Sequence, residues 1–431
     1  MSQAIALPVK RVLLLLLFGF FSTLAAQQRE YSALFESLRP GLFTVEVVDR
    51  VSNNKNAQGS AFALNEQGLL ASNYHVVSEY LLDPDRYSLR FRDVEGQVGP
   101  LEIVDVDVLH DLALLRFDDA ERVPVAFVPF EFAEMLPRAG ETILALGNPY
   151  DIGLSIVPGT YNGLLENQFR KSIHFTGALN PGMSGGPAVN LEGQVVGINV
   201  AAAGNSVSFL VPVENLRSLA EQLPEQARSL ELIRAGVVGQ IIEHQAGMID
   251  ALLTGDWSLE AFGPLMIPRE IRPWISCGGS GRESEIEAPW RESHSNCVLN
   301  DRIYLSRSLD TGPLEIIFGW YGSDLLNPFQ FARVFEQNTF MPFNQTGDKD
   351  VTAFECNEDW LEIESLKPVP FKATYCLRTY LDYPGLYDVL YVARALMPGA
   401  EGLNIHYTLA GVGRDSAQRF HQYLLGALKW K

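Results

Sequence analysis

The fold class that the sequence predicts for the N-terminal half of the chain is all-β, with two six-stranded β-barrels. Three observations support this prediction. Residues 58–77 read as an alternating strand, a glycine turn and a second strand that ends on His75, and Asp111 stands just before a short apolar strand. Ser184 lies in a glycine-rich turn, and two β-rich runs follow it. The order His75, Asp111, Ser184 is the order in which hydrolases built from two β-barrels arrange a catalytic triad.

The segment 178–187, ALNPGMSGGP, indicates where a nucleophile would act. A serine hydroxyl is a poor nucleophile at neutral pH, so it needs a base to take its proton and N–H groups to bind the charge on the attacked carbonyl oxygen. Gly182 has no side chain, so its backbone can adopt conformations that are closed to other residues. The N–H groups of Gly182 and Ser184 are therefore the predicted oxyanion hole.

The turn around Ser184 also fits a second hydrolase fold. Its spacing matches the G-x-S-x-G turn of α/β-hydrolases, in which the base lies downstream of the serine. In that fold the serine must open a helix, whereas the residues that follow here, PAVNLEGQVVGINVA, contain a proline and read as a hairpin. Local structure argues against this alternative, although four histidines lie downstream: His244, His294, His406 and His421.

Four blocks of the sequence together match one known family. They are GSAFALNEQGLLASNYHVV with His75, HDLALLRF with Asp111, GNPYDIGLSIVPG, and GALNPGMSGGPAVNLEGQVVGINVA with Ser184. Through these blocks, residues of about 31 to 222 resemble the trypsin-like, chymotrypsin-fold protease domain of the HtrA/Deg family of bacterial envelope proteases. The resemblance implies a serine endopeptidase in which Ser184 is the nucleophile, His75 the general base and then acid, and Asp111 the carboxylate that fixes the imidazole tautomer. Gly182 and Ser184 are implied as the oxyanion donors.

The resemblance also implies where a substrate side chain would lie. Ala178 corresponds to the floor of the pocket that holds the side chain preceding the scissile bond. Because no carboxylate is present there, cleavage after Lys or Arg is disfavoured. The resemblance assigns the pocket wall and the backbone that holds the substrate to Asn199, Val200 and Ala201. We therefore expect a shallow apolar pocket that prefers small aliphatic residues, and polypeptide substrates that include unfolded chains.

Met183 departs from the family pattern, which has asparagine or aspartate immediately before the nucleophile. Methionine cannot offer the corresponding hydrogen bond, so the loop is expected either to be held by packing or to stay disordered until a substrate or partner arrives. This departure keeps open an alternative function, a catalytically silent trypsin-like domain that acts as a binding module. A serine hydrolase that does not act on peptides is the third hypothesis.

The first residues predict export. Lys10 and Arg11 precede an apolar run, residues 12–24, and Ala25 and Ala26 follow it. This run is short for a membrane span, which needs about 20 residues, and the small residues after it suit signal peptidase. We expect a signal peptide at residues 1–26 and a mature chain in the periplasm or outside the cell. A retained membrane anchor is the alternative.

Composition limits the classes of partner. The chain has 431 residues, 47% of them hydrophobic, and a net charge of −19. Such a surface repels nucleic acid and anionic membranes, so neither is expected as a partner, and no span is expected in the mature chain. The sequence has no phosphate-binding glycine loop and no clustered metal-ligand spacing, so we expect no cofactor and no metal.

The second half of the chain differs in composition, because all six Trp and all four Cys follow residue 256. We predict a protease domain at 27–223, a helical linker at 224–256 and a separate domain at 257–431, of α+β or β-sandwich-like fold. An exported location favours disulfides. Four cysteines allow three connectivities, and equal spacing of 20 residues favours Cys277 with Cys297 and Cys356 with Cys376.

The domain at 257–431 does not resemble the peptide-binding PDZ domains that usually follow such a protease. The oligomeric cages and peptide-triggered activation of the family are therefore not carried over to this chain. Docking of an envelope partner is one hypothesis for this domain, and a structural role without a ligand is the other.

Overall fold

The structure is a computed structural model, which describes residues 30–118, 127–204, 207–223, 228–283, 289–338 and 349–431. The predicted signal peptide, residues 1–26, lies outside the described residues. The side chains of residues 201–206 also lie outside them, and these include the predicted pocket residue Ala201. The first described element is helix α1, residues 30–38.

The first barrel consists of six strands, namely β1 (Leu42–Asp49), β2 (Lys55–Ala63), β3 (Leu69–Ser72), β4 (Tyr87–Arg92), β5 (Val98–Asp107) and β6 (Leu112–Phe117). They close in the order β1-β2-β3-β6-β5-β4, and every neighbouring pair is antiparallel. Alternate residues point inward, as in β4, where Tyr87, Leu89 and Phe91 are buried. Closure between β1 and β4 leaves the sheet without an open edge.

The second barrel consists of β7 (Thr142–Gly147), β8 (Ser155–Leu164), β9 (Ile173–Thr176), β10 (Pro187–Val189), β11 (Val195–Gly204) and β12 (Val207–Pro212). It closes in the order β10-β11-β12-β9-β8-β7, again with antiparallel neighbours. The predicted all-β fold with two six-stranded, chymotrypsin-like barrels is therefore confirmed.

Helix α2 (Tyr74–Leu82) differs from the prediction for this segment. The strand predicted to end on His75 ends at Ser72, and His75 lies in the first turn of α2. Asn73 between them has extended backbone angles, and its side-chain amide donates to the carbonyl of Asp111 at 2.7 Å. The chain turns here because Asn73 bonds to the neighbouring loop instead of continuing the strand.

Two helices lead from the barrels to the second half, α3 (Val213–Glu221) and α4 (Leu230–Leu253). Helix α4 lies within the stretch 224–256, for which the sequence predicts a helical linker. The first half of α4 packs into the core of barrel 1, and its second half packs into the core of the C-terminal domain. The buried side chains are Ile233, Val237 and Ile241 in the first half and Met248, Ile249 and Leu252 in the second.

The C-terminal domain contains an antiparallel sheet of seven strands in the order β15-β16-β19-β23-β22-β21-β20, a three-stranded sheet β13-β14-β24 and a hairpin β17-β18. The strands are β13 (Ser258–Phe262), β14 (Leu265–Glu270), β15 (Ser276–Arg282), β16 (Arg291–Leu299), β17 (Ile303–Ser306), β18 (Leu309–Thr311), β19 (Leu314–Gly322), β20 (Glu355–Glu362), β21 (Pro370–Thr379), β22 (Tyr387–Met397), β23 (Glu401–Val412) and β24 (Lys429–Trp430). The helices are α5 (Pro328–Asn338) and α6 (Arg414–Ala427).

Helices α4 and α6 pack against the apolar side chains of the seven-stranded sheet. Phe420 and Leu424 of α6 are fully buried there, at the spacing that places them on one helix face. Alternate residues of β23, such as Ile405 and Tyr407, contribute to the same core. A sheet that packs against helices makes this domain α+β, which is the first of the two predicted classes.

Two disulfides join neighbouring strands of this sheet. Cys277 pairs with Cys297 across β15 and β16, and Cys356 pairs with Cys376 across β20 and β21. Both bonds lie in the outermost hairpins of the sheet, one at each edge. Among the described residues, none of the helices combines the length and apolar character needed to cross a membrane.

Candidate active site

Asp111 holds His75 at two points. Its carboxylate accepts a hydrogen bond from the backbone N–H of His75 at 2.8 Å and lies 2.6 Å from the ring Nδ1. The Asp111 backbone has a positive φ of 56°. Its carbonyl accepts from the side chain of Asn73 and from the N–H of Tyr74. With Nδ1–H donated to the carboxylate, Nε2 is the nitrogen that remains to accept a proton.

The pKa of His75 follows from its surroundings. Burial lowers the pKa of an imidazole because it disfavours the charged form. The negative charge of Asp111 and its hydrogen bond raise the pKa of His75 and outweigh the burial, so the net shift is upward. A base with a raised pKa is stronger, and it is also protonated at a higher pH.

The side chain of Ser184 lies beside strand β11. The Ser184 hydroxyl donates to the carbonyl of Val200 at 3.1 Å. The backbone carbonyl of Ser184 accepts from the N–H of Ser60 at 2.7 Å. No hydrogen bond between Ser184 and His75 occurs among the described residues. In unliganded enzymes catalytic hydrogen bonds are often long and tighten with substrate.

The backbone before Ser184 is fixed by two hydrogen bonds. The N–H of Tyr150 donates to the carbonyl of Pro181 at 2.8 Å, and the hydroxyl of Ser60 donates to the carbonyl of Gly182 at 2.7 Å. In a trans peptide the carbonyl and the N–H point in opposite directions, so the first bond directs the N–H of Gly182 away from Tyr150. Among the described residues, neither Gly182 nor Ser184 uses its N–H in a hydrogen bond.

Gly182 has a positive φ of 97°, which favours glycine. A Cβ added to this residue would lie 2.4 Å from the carbonyl oxygen of Asn148. Both the backbone angle and the close approach therefore require glycine at this position.

Met183 belongs to the core of barrel 2. It is completely buried, in a cluster that includes Phe175 and Leu179. Its N–H donates to the carbonyl of Asn180 at 3.0 Å, and its carbonyl accepts from the N–H of Gly186 at 3.1 Å. Packing thus holds the loop, which is the first of the two arrangements expected for a methionine at this position.

The predicted pocket residues occupy different environments. Ala178 is exposed, as the floor of an open pocket would be. Asn199 is completely buried, and its amide donates to the carbonyls of Leu146 and Met183. The Asn199 side chain thus supports the turn before Ser184, and the role of strand residues 199–201 as pocket wall and backbone cradle stays a prediction. Val200 presents its carbonyl to Ser184.

Three further residues contact the site without having been predicted from the sequence. Ser60 and Tyr150 fix the loop before the nucleophile, and both lie in blocks that carry the family resemblance. Tyr304, from the C-terminal domain, makes an edge-to-face ring contact with His75, with 5.8 Å between ring centres. No local pattern marks Tyr304, because it reaches His75 only through the packing of the two domains.

A second histidine–aspartate pair lies near the first. The Nδ1 of His110 is 2.6 Å from the carboxylate of Asp107, three residues earlier. This pair is local to one turn. No cluster of three or more His, Cys, Asp or Glu side chains that could hold a metal ion occurs within the described part of the chain.

Two antiparallel barrels, a histidine–aspartate pair and a serine in a glycine-rich turn define a trypsin-like serine protease domain. The sequence model of a family described as a trypsin-like peptidase domain matches residues 59–198. "Serine protease HTRA1B" of Danio rerio is 30% identical over 216 residues, which are 47% of this chain and 44% of that protein. A "Probable periplasmic serine endoprotease DegP-like" of Rhizobium meliloti (strain 1021) is 32% identical over 274 residues, 56% of this chain and 52% of the relative.

A solved structure titled a serine endoprotease from Yersinia pestis is 23% identical, covers 45% of this chain and 66% of its own, and has a TM-score of 0.38. The chain spans about half the length of the curated relatives named above, or less. The family match identifies residues 59–198 as a trypsin-like peptidase domain, and the chain is similar to the HtrA and DegP-like serine proteases named above.

Proposed function

We propose that this protein is an exported serine endopeptidase that cleaves polypeptides through an acyl-enzyme on Ser184. The observation that carries the proposal is the 2.6 Å contact between His75 Nδ1 and the Asp111 carboxylate. On the same domain, the N–H groups of Gly182 and Ser184 make no hydrogen bond among the described residues. The protease relatives support polypeptides as the substrate class.

The proposed reaction has two halves. Nε2 of His75 removes the proton of the Ser184 hydroxyl as its oxygen attacks the carbonyl carbon of the substrate, and the N–H groups of Gly182 and Ser184 bind the resulting oxyanion. His75 then gives the proton to the leaving amine as the peptide bond breaks. Water, deprotonated by His75, attacks the acyl-enzyme. His75 returns that proton to the Ser184 oxygen as the ester bond breaks, and the acid product leaves. Asp111 stabilises the imidazolium in both halves.

The proposed specificity rests on Ala178, which is exposed, apolar and small. A small aliphatic side chain would be bound there, and a Lys or Arg side chain would find no carboxylate in that position. Such a pocket discriminates weakly, since one methylene is worth about 1–3 kcal/mol. We therefore propose broad cleavage after small aliphatic residues.

The proposed location is the periplasm or the cell exterior. The basic and apolar start of the sequence, the two disulfides and the periplasmic relative support it. Docking of an envelope partner by residues 257–431 stays a prediction.

The decisive experiment is casein cleavage by the purified chain beside Ser184→Ala, with products mapped by mass spectrometry. We expect cuts after small aliphatic residues that disappear in the variant. Cleavage that persists in Ser184→Ala would contradict the assignment of the nucleophile.

The catalytically silent binding module remains the second candidate, because the Ser184 hydroxyl bonds to Val200 and not to His75. A fluorophosphonate probe separates the two, since an active site labels Ser184 and a silent one does not. Turnover of an ester without cleavage of casein would instead support a hydrolase that does not act on peptides.

A further inference from the structure

The C-terminal domain packs directly against the helix that carries the catalytic histidine. Leu305 of β17 and Leu309 of β18 are buried in the same apolar cluster as Val77 of α2. The hydroxyl of Tyr74, the residue before His75, donates to the carbonyl of Leu305 at 3.2 Å. The two domains thus share one core at this point, so hairpin β17–β18 has a fixed position relative to His75.

Tyr304 lies on this hairpin and contacts the imidazole itself. Its ring meets that of His75 edge to face, at 69° between the ring planes, and it also meets the ring of Tyr74 with 6.4 Å between centres. Burial raises the pKa of Tyr304 to about 12, so the phenol is neutral at physiological pH. Tyr304 therefore restricts the imidazole without adding a charge beside Asp111.

Arg170 ties three parts of the molecule together beside the site. It lies in the loop between β8 and β9 of barrel 2, and its guanidinium is 2.7 Å from the carboxylate of Asp301 in the C-terminal domain. It also donates to the carbonyl of Arg302 at 2.5 Å and to the carbonyl of Leu109, in the loop that carries Asp111. Both members of the ion pair are largely buried. This arrangement fixes the C-terminal domain against both barrels.

A cavity of about 790 Å³ lies between these parts. Its volume is within the range of about 300–1,000 Å³ found for ligand pockets. The barrels contribute Asp111, Val200 and Phe169, and the C-terminal domain contributes Trp274, Asp301 and Tyr304. The rings of Phe169 and Trp274 are 5.0 Å apart, so part of the wall is aromatic.

We propose that the C-terminal domain completes the substrate cleft, with Tyr304 as a positioning residue for His75 and Trp274 as part of a subsite. This inference rests on the proposed peptidase function. Val200 belongs to both the strand proposed to hold the substrate backbone and the cavity wall. The subsite takes an extended polypeptide segment upstream of the residue at Ala178, and its aromatic wall favours a large apolar side chain there.

The role of Tyr304 is tested with Tyr304→Ala and Tyr304→Phe in the full chain. Tyr423→Ala is the matched control, since Tyr423 is a half-buried tyrosine of the same domain that packs on Trp257. A misplacement of 1 Å can cost about 10²-fold in rate, so we expect kcat/KM to fall about 10- to 100-fold in Tyr304→Ala. Tyr304→Phe keeps the ring edge and should restore wild-type kinetics, and Tyr423→Ala should retain them.

A second measurement does not depend on activity. In the Ser184→Ala background, NMR of histidine-labelled protein reports how fast the Nδ1 proton of His75 exchanges with water. We expect faster exchange in Tyr304→Ala, because the ring is no longer restricted, and unchanged exchange in Tyr304→Phe and Tyr423→Ala. Unchanged exchange in folded Tyr304→Ala overturns the positioning role.

The subsite is tested with peptides shortened from the N-terminal side. Wild-type kcat/KM should fall as upstream residues are removed and rise with Phe or Leu at an upstream position compared with Gly. Trp274→Ala should lose both dependences and cleave the shortest peptide as the wild type does. Equal length dependence in both proteins overturns the subsite. If the wild-type protein neither cuts casein nor is labelled at Ser184, the proposed function itself is contradicted. The NMR comparison then still tests whether Tyr304 restricts the His75 ring.

Discussion

The N–H of Tyr150 donates to the carbonyl of Pro181 at 2.8 Å, and this bond sets the direction of the peptide group that ends in the Gly182 N–H. Tyr150 itself has a positive φ of 51°, in a short turn after β7. A turn of barrel 2 thus determines whether an N–H or a carbonyl would face the oxyanion that the proposed attack by Ser184 forms. The bond from Tyr150 to Pro181 and the buried Met183 side chain together hold the loop, so the loop keeps its shape with methionine at position 183.

Gly182→Ala should remove most activity. The added Cβ would lie 2.4 Å from the Asn148 carbonyl at a φ of 97°, so the peptide must move and its N–H would leave the oxyanion position. Loss of one hydrogen-bond donor to the oxyanion lowers kcat about 10²- to 10³-fold. The measurement is the rate of fluorophosphonate labelling at Ser184.

Gly140→Ala is the matched control for this change. Gly140 also has a φ of 97°, but a Cβ there meets nothing within 4 Å. Gly140→Ala therefore has the same unfavourable φ as Gly182→Ala but no steric clash of the added Cβ. Equal labelling rates in the two variants would show that the close approach at Gly182 does not matter.

Asp111→Asn should change both the rate and its pH dependence. The active form of His75 is neutral, so kcat/KM falls as pH drops through the raised pKa of His75. Without the carboxylate that pKa falls, so the acidic limb of the pH profile should move to lower pH. The maximum rate should drop about 10⁴-fold, since the imidazole loses its orienting acceptor. The measurement is kcat/KM as a function of pH.

Asp107→Asn makes the same substitution in the neighbouring pair with His110, whose nitrogen lies at the same 2.6 Å distance. We expect its profile to keep the wild-type acidic limb. A shift in this variant, or none in Asp111→Asn, would contradict the assignment of the triad acid.

Ile241→Ala should destabilise the protein. Ile241 of α4 is completely buried in the core shared by barrel 1 and the C-terminal hairpin. Truncation of a buried isoleucine costs about 2–5 kcal/mol in the free energy of unfolding. Urea unfolding measures the change, with Leu232→Ala on the same helix as the control, because Leu232 is 62% exposed and should cost little. Similar losses in both would show that α4 does not bury this face.

Loss of the disulfide between Cys356 and Cys376 should destabilise the outer hairpin β20–β21. The bond closes a chain segment with a sequence separation of 20, and for loops of about 15 residues the loss is about 3 kcal/mol. The double variant Cys356→Ser/Cys376→Ser should therefore unfold at lower urea concentration than the wild type. A thiol titration of the unfolded wild type should find no free cysteine before reduction.

The sequence predicted individual strands and the glycine turn at Ser184 because these features depend on short local patterns, whereas the two barrels were implied by the order His75, Asp111, Ser184 and by the family resemblance. Alternating apolar residues define strands, and glycines mark the turn that the nucleophile needs. The same kind of pattern limited the fold of the second domain to two classes, α+β and β-sandwich-like. The cysteine spacing favoured the pairing that the structure shows.

The sequence by itself therefore predicted the barrels and the candidate triad, and it favoured one of three possible cysteine pairings. Only the tertiary structure placed His75 on a helix, buried the side chain of Asn199 and brought Tyr304 to the imidazole. The physical reason is the range of the interaction. A strand or a turn follows from neighbouring residues, whereas the contact between Tyr304 and His75 depends on the packing of a core that residues far apart in the chain form together.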